Sequence, residues 1–253
     1  MQFWKMNGAG NDFIILNNMR EGLPAESFPA LARRLCDRRM SIGADGLMIV
    51  EKPTTDADYR MLFFNSDGSV GEMCGNGARC ICRYGCDNGL AGEVQRVQTT
   101  AGLVTGWRMT RRQYRVQLNS PTVLRLDYPV EVDGVTYPCS YIELGRKLCH
   151  HPAFPKGANV NFYEVEGPGQ IWERTYERGV EDFTHACGTG TGSVVTVLTL
   201  QGKSDGRDVH VQMTGGELVI DVEVRDGAVE RLLLTGPTNV VAKGEVTDEE
   251  LAL

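Results

Sequence analysis

Two short stretches decide how this chain is organised: "EMCGNGARC", residues 72–80, and "HACGTGTGS", residues 185–193. Each stretch places a cysteine, Cys74 or Cys187, directly before an alternating glycine turn. A glycine turn followed by small and apolar residues is typical of a loop that opens a helix. Because the arrangement occurs twice, the two cysteines are interpreted as a related pair.

The spacing downstream of each cysteine indicates an internal repeat. Cys74 lies 28 residues before Gly102 of "TTAGLV", and Cys187 lies 28 residues before Gly215 of "MTGGELV". In both halves an acidic loop, a cysteine, a glycine turn, a helix, a strand and a glycine-bearing hairpin follow in the same order. Two copies are too few for a solenoid, so the pattern predicts two similar units that face one another across a ligand-binding cleft.

The predicted fold class is α/β (α+β), with two pseudo-symmetric lobes and the active site in the cleft between them. We assign residues 1–118 to an N-terminal lobe, which the last strand at 242–253 can rejoin, and residues 119–241 to a C-terminal lobe. Strand-like runs are predicted at 13–18, 46–52, 59–65, 97–109, 114–120, 134–144, 160–167, 171–179, 208–224, 231–237 and 239–246. Helices are predicted at 26–39, at 76–90 and after the second glycine turn.

Composition and charge exclude several classes of protein. The 33 acidic and 26 basic residues give a net charge of −7, which argues against a broad surface for nucleic acid or anionic membrane. No apolar run is long enough to span a membrane, and the first residues do not resemble a secretion signal. We therefore expect a cytoplasmic protein with a small-molecule ligand, no nucleic-acid partner and no membrane partner; a homodimer stays open.

The cysteines are predicted to be free thiols, because disulfide frameworks are rare in proteins without a secretion signal. The eight cysteines are Cys36, Cys74, Cys80, Cys82, Cys86, Cys139, Cys149 and Cys187. The cluster in "CGNGARCICRYGC" contains no C-x-x-C pair, and on a helix its side chains would point in different directions. We therefore predict no metal site.

A cysteine that precedes a helix has a chemical consequence. Its sulfur lies near unpaired backbone N–H groups and the positive end of the helix dipole, and both favour the thiolate. The N–H groups of residues 75–77 and 188–190 form a receptor for a carboxylate or a phosphate. Two related units would bring two sulfurs to opposite sides of one bound molecule. One sulfur could then remove a proton from a carbon while the other protonates the opposite face.

Such a two-base reaction inverts a stereocentre without a metal or a pyridoxal cofactor, and we expect no cofactor. It requires oriented N–H groups that stabilise a carbanion in a site from which water is excluded. It also requires the two sulfurs to start in opposite protonation states, and a pair of this kind titrates as a unit. The nucleotide-binding alternative is weaker, because Ser193 occupies the third glycine position of the fingerprint that "GTGTGS" begins.

Several motifs closely resemble those of the diaminopimelate epimerase family, over most of the chain. The motifs are "KMNGAGNDFI", "FNSDGSVGEMCGNGARC", "TTAGLV", "ANVNF", "YERGVEDFTHACGTGTG" and "MTGG". The resemblance implies an isomerase of amino-acid and lysine biosynthesis that converts LL-diaminopimelate to meso-diaminopimelate without a cofactor. It also implies two lobes, each a sheet wrapped round a central helix, and paired catalytic thiols at Cys74 and Cys187.

The resemblance also implies the substrate contacts, residue by residue. These are Asn11, Asn65, Gly75, Asn76, Asn159, Glu177, Arg178, Gly188 and Thr189. The backbone amides of Gly75, Asn76, Gly188 and Thr189 would hold the α-carboxylate. The chemistry of "YERG" agrees with this, since Arg178 suits a carboxylate and Glu177 suits an ammonium group.

The chain departs from the family in one large respect. The family carries a Gly-Asn-Pro-His segment before "ANVNF", and no counterpart occurs between Gly134 and Asn159. This leaves a racemase of another amino acid as an alternative. A non-catalytic amino-acid-binding relative is an alternative of another class, which possession of both cysteines disfavours.

Each site residue also has a purely structural interpretation. Asn11 and Asn65 could be turn residues, and Glu177 and Arg178 could form an ordinary solvated pair. The neighbouring histidines at 150 and 151 are interpreted as surface or packing residues.

Overall fold

The computed structural model describes residues 1–71, 74–119, 141–249 and 251 of the chain. It is a mixed α+β structure, rich in strands and with few helices. Internal contacts divide the chain into two compact units, one of residues 1–117 and 235–253 and one of residues 118–234. The sequence-based lobes, 1–118 with 242–253 and 119–241, stay predictions. The predicted linker beyond Asn119, Cys139 and the predicted strand residues 134–140 lie outside the described residues.

The described elements are bounded as follows. The strands are β1 Gln2–Gly8, β2 Asn11–Asn17, β3 Gly46–Glu51, β4 Tyr59–Asn65, β5 Val94–Thr99, β6 Gly102–Arg108, β7 Gln113–Leu118, β8 Val160–Gly167, β9 Gln170–Glu177, β10 Asp182–Thr184, β11 Val209–Met213, β12 Gly216–Arg225, β13 Ala228–Pro237 and β14 Asn239–Glu245. The helices are α1 Asn18–Glu21, α2 Phe28–Leu35, α3 Gly75–Asp87, α4 Tyr141–Cys149 and α5 Gly188–Leu200, with a short 3-10 turn at Ala25–Ser27.

In the first unit α3 packs against a run of eight neighbouring strands. The neighbours are β7, β6, β5, β4, β3, β2, β1 and β14 in that order, and only the β2–β3 and β4–β5 pairs are parallel. Helix α3 packs against β1, β2, β5 and β6 and is buried continuously from Gly75 to Gly85. A helix buried on all sides exposes no polar face, so α3 is the centre of this unit.

Helix α2 covers the same sheet from outside and shows the ordinary amphipathic pattern. Its buried residues Phe28, Leu31, Ala32 and Leu35 recur at helical spacing and join the apolar residues of β2, β3 and β4 in one core cluster. The C-terminal segment is attached to this helix, because Arg34 forms two hydrogen bonds of 2.6 and 2.8 Å with the carboxylate of Asp248.

In the second unit β9 pairs with β11 and β10 along one edge and with β8 along the other, and β12 and β13 follow β11 in the sheet. Helix α5 packs against β8 and β12, and α4 packs against β8, β9 and β10. Eight of the residues of α5, between Gly188 and Leu198, are buried. Among the described residues no helix is both long and apolar enough to cross a membrane.

The two predicted hairpins are present, with one correction to their register. Thr99 pairs with Gly102 at the turn between β5 and β6, and Met213 pairs with Gly216 at the turn between β11 and β12. Both glycines have positive φ, 106° and 128°, which a residue with a side chain rarely adopts. The partner of Gly102 in the repeat is therefore Gly216, and our assignment of Gly215 was wrong by one residue.

The strand predicted at 134–144 is wrong at its described end, because Tyr141–Cys149 is helix α4. Gly145 and Cys149 are buried while the intervening Arg146 and Lys147 are exposed, which is helical spacing. The basic pair in the last turn also interacts favourably with the helix dipole. Short apolar runs such as this one do not separate strand from helix by pattern alone.

Candidate active site

The two predicted cysteines occupy equivalent positions in their units. Cys74 is the N-cap of α3 with φ −128° and ψ 112°, and Cys187 is the N-cap of α5 with φ −128° and ψ 100°. Ala78 N donates to Cys74 O at 2.8 Å, and Thr191 N donates to Cys187 O at 2.9 Å. Both helices have 13 residues. The prediction that each glycine turn opens a helix is therefore confirmed.

The second glycine of each turn is needed for packing against a strand. A Cβ on Gly77 would clash with the end of the Met48 side chain, and a Cβ on Gly190 would clash with the side-chain amide of Asn161. The absence of a side chain at these two positions lets each helix start lie directly on the sheet of its own unit.

In the first unit the structure brings together two of the predicted substrate contacts. Asn76 Nδ2 donates to Asn11 Oδ1 at 2.5 Å, and Asn11 Nδ2 donates to Asp45 Oδ2 at 3.2 Å. Asn76 is buried, and Asn11 is partly buried at the start of β2. This chain of amides fixes the orientation of both side chains beside the first turn of α3.

Asn65 has a different setting. It ends β4, its side chain is exposed, and its Nδ2 donates to Ser69 Oγ at 2.9 Å. Its backbone N–H donates to Ser69 O at 2.9 Å. The described contacts of Asn65 are therefore those of a turn residue, and its role in substrate binding stays a prediction.

Arg79 lies beneath these amides and was not predicted. It is fully buried, its Nη2 donates to Asn76 Oδ1 at 2.8 Å, and its Nη1 lies 3.4 Å from Gly75 O. Burial lowers the pKa of Arg79 to about 10, while the negative charge that Cys80 and Cys74 carry as thiolates would act in the opposite direction. Its Nε has no partner among the described residues. A cation buried next to a thiol stabilises the thiolate.

In the second unit the side-chain amide of Asn159 contacts two other predicted site residues. Asn159 Oδ1 accepts from the backbone N–H of Arg178 at 3.0 Å, and Asn159 Nδ2 lies 3.7 Å from Cys187 Sγ. Arg178 is exposed, and its Nη1 donates to Lys156 O at 2.6 Å. Glu177 ends β9 and is half-buried. The structure therefore brings Asn159, Arg178 and Cys187 together.

The environment of Cys187 favours the neutral thiol. Burial raises its pKa to about 11, and the negative charge of Glu177 acts in the same direction. Thr189 Oγ1, 3.5 Å from the sulfur, and Gly190 N, which donates to it at 3.4 Å, lower the pKa only in part. The N–H group at the helix start thus acts in the expected direction, but desolvation outweighs it.

A buried carboxyl group lies near the start of α5 and was also missed. Glu173 is fully buried in β9, and burial raises its pKa to about 7. The Thr175 hydroxyl lies 3.4 Å from Glu173 Oε1 but donates its proton better to Asn161 Oδ1, at 2.8 Å. Glu173 Oε2 has no hydrogen-bond partner among the described residues. Its charge raises the pKa of Cys187 further.

Signals for both missed residues exist in the sequence. Arg79 is the one charged residue of "GNGARCIC", a run of small and apolar residues that follows a predicted helix start. Glu173 alternates with Ile171 and Thr175, so the strand period of two places it on the buried face. A charge inside either pattern indicates a buried ionisable group.

Comparison with solved structures identifies the fold. The chain aligns with a probable proline racemase from Agrobacterium radiobacter at a TM-score of 0.71 and 18% identity, covering 97% of this chain and 92% of that one. It aligns equally well with a hydroxyproline epimerase from Agrobacterium vitis, at a TM-score of 0.71 and 16% identity, covering 97% and 90%. At these identities the comparison shows a common fold.

Comparison of sequences is more specific. The chain matches the family description "Diaminopimelate epimerase" over residues 3–124 and 130–241. It is 37% identical to a diaminopimelate epimerase from Moorella thermoacetica, covering 97% of this chain and 99% of that protein. That alignment has 284 positions, more than the 253 residues of this chain, so the relative contains residues that have no counterpart here.

The sequence comparisons define the protein as an isomerase of the epimerase class. Within that class the match extends over nearly the whole length of both sequences. The chain belongs to the diaminopimelate epimerase family.

Proposed function

We propose that this protein converts LL-diaminopimelate to meso-diaminopimelate and back, with Cys74 and Cys187 as the two acid–base groups and without a cofactor. The observation that carries the proposal is the equivalent position of the two cysteines, each the N-cap of a buried 13-residue helix in its own unit. Family membership supports the substrate. The mechanism requires the two sulfurs to reach opposite faces of one α-carbon.

The electrostatic surroundings of the two thiols differ in the way that this reaction needs. Arg79 places a buried positive charge beside the first cysteine, whereas Glu177, and above about pH 7 also Glu173, places negative charge beside the second. We infer that the resting enzyme carries a thiolate at Cys74 and a thiol at Cys187. The Cys74 thiolate takes the α-proton of the substrate, and the Cys187 thiol delivers its own proton to the opposite face of the carbanion.

After one turnover the protonation states are exchanged, and the reverse reaction starts from that state. The thiolate of Cys187 is then supported by Gly190 N and by the side-chain amide of Asn159. The N-terminal amides of α3 and α5 are suited to an α-carboxylate, because an α-helix leaves its first N–H groups without intrahelical partners. Glu177 and Arg178 offer complementary charges to the ammonium and carboxylate groups of the substrate.

The proposal is tested by following the α-hydrogen in deuterated water. Purified protein without added cofactor is incubated with LL-diaminopimelate, and early product and recovered substrate are analysed by mass spectrometry. Two bases predict that the product gains one deuterium at the α-carbon while the remaining substrate stays unlabelled. Equal labelling of both isomers at low conversion would require a single base and contradict the two-thiol mechanism.

The same assay separates the alternatives left by the missing Gly-Asn-Pro-His segment. Turnover of a monocarboxylic amino acid at least tenfold faster than diaminopimelate would indicate a different substrate. Absence of exchange with any amino acid under reducing conditions would indicate a binding protein. We expect the highest kcat/KM with diaminopimelate.

Replacing Arg79 tests the proposed charge at Cys74. Arg79→Met has a similar length and removes the buried charge, and it also removes the donor to Asn76 Oδ1, so its Tm is measured alongside its activity. Without the cation the thiolate is less stable. We expect kcat/KM to fall by about tenfold or more and the acidic limb of its pH profile to move to higher pH.

Arg79→Lys is the matched control for this prediction. Lysine keeps the positive charge but loses the planar contact of the guanidinium with Asn76. The acidic limb of the pH profile of Arg79→Lys is therefore expected to lie closer to that of the wild type than the limb of Arg79→Met does. An unchanged acidic limb in Arg79→Met would remove Arg79 from the scheme.

A further inference from the structure

Three side chains that commonly bind metals converge at the end of α4 in the second unit. Cys149 is its last residue, His150 follows directly, and Glu181 belongs to the turn between β9 and β10. One ligand atom from each lies within 4.8 Å of the other two. His150 Nε2 and Glu181 Oε2 are 2.7 Å apart.

Burial gives this cluster the form of a shallow binding site. Cys149 is fully buried, whereas the side chains of His150 and Glu181 are 55% and 42% exposed. An ion can therefore approach from solvent past the imidazole and the carboxylate and reach the sulfur. The buried sulfur of Cys149 would shield one side of a bound ion from water. The nitrogen of His150 and the oxygen of Glu181, which are accessible to solvent, would lie in front of it.

Contacts with neighbouring residues orient the three groups, and the weak contact of 3.5 Å between Tyr176 Oη and Glu181 Oε2 would be exchanged for the ion. Gly179 N donates to Glu181 Oε1 at 3.1 Å, so the other carboxylate oxygen is directed at His150. Tyr176 Oη donates to the backbone O of Glu181 at 2.9 Å. Ala158 N donates to Cys149 O at 3.0 Å. Contacts of this kind orient ligands before a metal binds.

We propose that Cys149, His150 and Glu181 bind a borderline-soft divalent cation of the Zn²⁺ type, with water in the fourth position. Zinc takes cysteine sulfur, histidine nitrogen and carboxylate oxygen as ligands, at bond lengths of about 2.0 to 2.3 Å. Tetrahedral coordination at those lengths separates the ligand atoms by roughly 3.3 to 3.6 Å. The observed cluster needs only small side-chain adjustments to reach this. Binding releases the Cys149 proton to solvent.

The site would act on the turn that carries two predicted substrate contacts. Glu181 lies three residues after Arg178 and four after Glu177. The backbone O of Cys149 accepts a hydrogen bond from the N–H of Ala158, the residue before Asn159. A metal joining Cys149 to Glu181 would fix the end of α4 to this turn. That consequence rests on the proposed function, whereas the binding itself does not.

The test uses Co²⁺ as a spectroscopic probe of the full-length, reduced protein. Bound Co²⁺ with a thiolate ligand gives a sulfur-to-metal charge-transfer absorption, and Zn²⁺ added afterwards displaces it. We expect one equivalent to bind, with the absorption lost in Cys149→Ser. His150→Ala and Glu181→Gln change exposed residues that the fold tolerates, and each is expected to weaken binding by about 10-fold or more.

Two controls separate this site from other donors. His151→Ala changes the neighbouring histidine, and Cys187→Ser removes a thiol of the proposed active site; both are expected to bind Co²⁺ as the wild type does. Charge-transfer absorption that persists in Cys149→Ser, or binding that is unchanged in both His150→Ala and Glu181→Gln, would overturn the proposal. Absence of binding at micromolar Co²⁺ would overturn it as well. No readout depends on turnover, so this result is independent of the epimerase assay.

Discussion

Cys187→Ser is expected to lower kcat/KM for epimerisation by about 10³-fold or more while the protein stays fully folded. The serine hydroxyl is far less acidic than a thiol and cannot exchange protons with the α-carbon at a useful rate. Serine is, however, a preferred N-cap residue. Its oxygen can replace the weak contact of 3.4 Å between Gly190 N and Cys187 Sγ.

This substitution therefore separates chemistry from structure. If the sulfur were important only as a helix cap, Cys187→Ser would retain activity and Tm together. Cys74→Ser is expected to give the same loss of activity, because the proposed reaction needs both groups in every turnover. The measurements are the rate of epimerisation and the thermal midpoint of unfolding.

Cys36→Ala is the matched control for both substitutions. Cys36 is another buried thiol, and burial raises its pKa to about 12, but it caps the end of α2 and has no part in the mechanism. Its loss should lower Tm slightly and leave kcat/KM unchanged. Activity within tenfold of wild type in either cysteine-to-serine variant would exclude that residue as an acid–base group.

Glu173→Gln is expected to stabilise the protein at pH 8 much more than at pH 5. Burial raises the pKa of Glu173 from 4.5 to about 7 in the folded protein. Between these values the unfolded chain has lost the proton and the folded chain has kept it. Stability therefore falls as pH rises from about 4.5 to about 7, and the fall corresponds to roughly 3 kcal/mol.

Glutamine is uncharged at all pH values, as the protonated acid is. The unfolding free energy of Glu173→Gln therefore lacks the fall that the wild type shows as pH rises. The measurement is the difference in unfolding free energy between variant and wild type at several pH values between 5 and 8. Glu173→Leu, which removes the polar group, should flatten the same dependence even if its absolute stability differs. Glu164→Gln changes an exposed glutamate of β8 and is expected to leave the dependence unaltered. A wild-type pH dependence in both Glu173 variants would contradict burial of the carboxyl group.

The elements that the sequence predicted well are those in which local pattern and burial agree. The predicted strands at 59–65 and 160–167 coincide with β4 and β8. The helix predicted at 76–90 corresponds to α3, Gly75–Asp87. Strand β1 was missed, because "QFWKMNG" mixes polar and apolar residues and gains its stability from pairing with both β2 and β14.

In the candidate site, too, the features set by local sequence were predicted, whereas those set by tertiary packing were not. The positions of Cys74 and Cys187 were predicted because the glycine turn marks a helix start by local backbone requirements. The amide-bearing residues beside them were predicted from the family resemblance alone. Two of the charged residues that act on the thiols, Arg79 and Glu173, were not predicted. Each stands in a pattern that indicates burial, but the burial itself depends on which strands pack around the residue.

By itself, the sequence determined the duplicated cysteine-capped helices and the family, because repeats, caps and motifs are properties of neighbouring residues. Only the tertiary structure decided the burial of the Cys187 thiol. Desolvation depends on packing by residues distant along the chain, and it makes Cys187 a weak acid despite its place at a helix N-terminus. The convergence of Cys149 and His150 with Glu181 across thirty-one residues or more was decided in the same way.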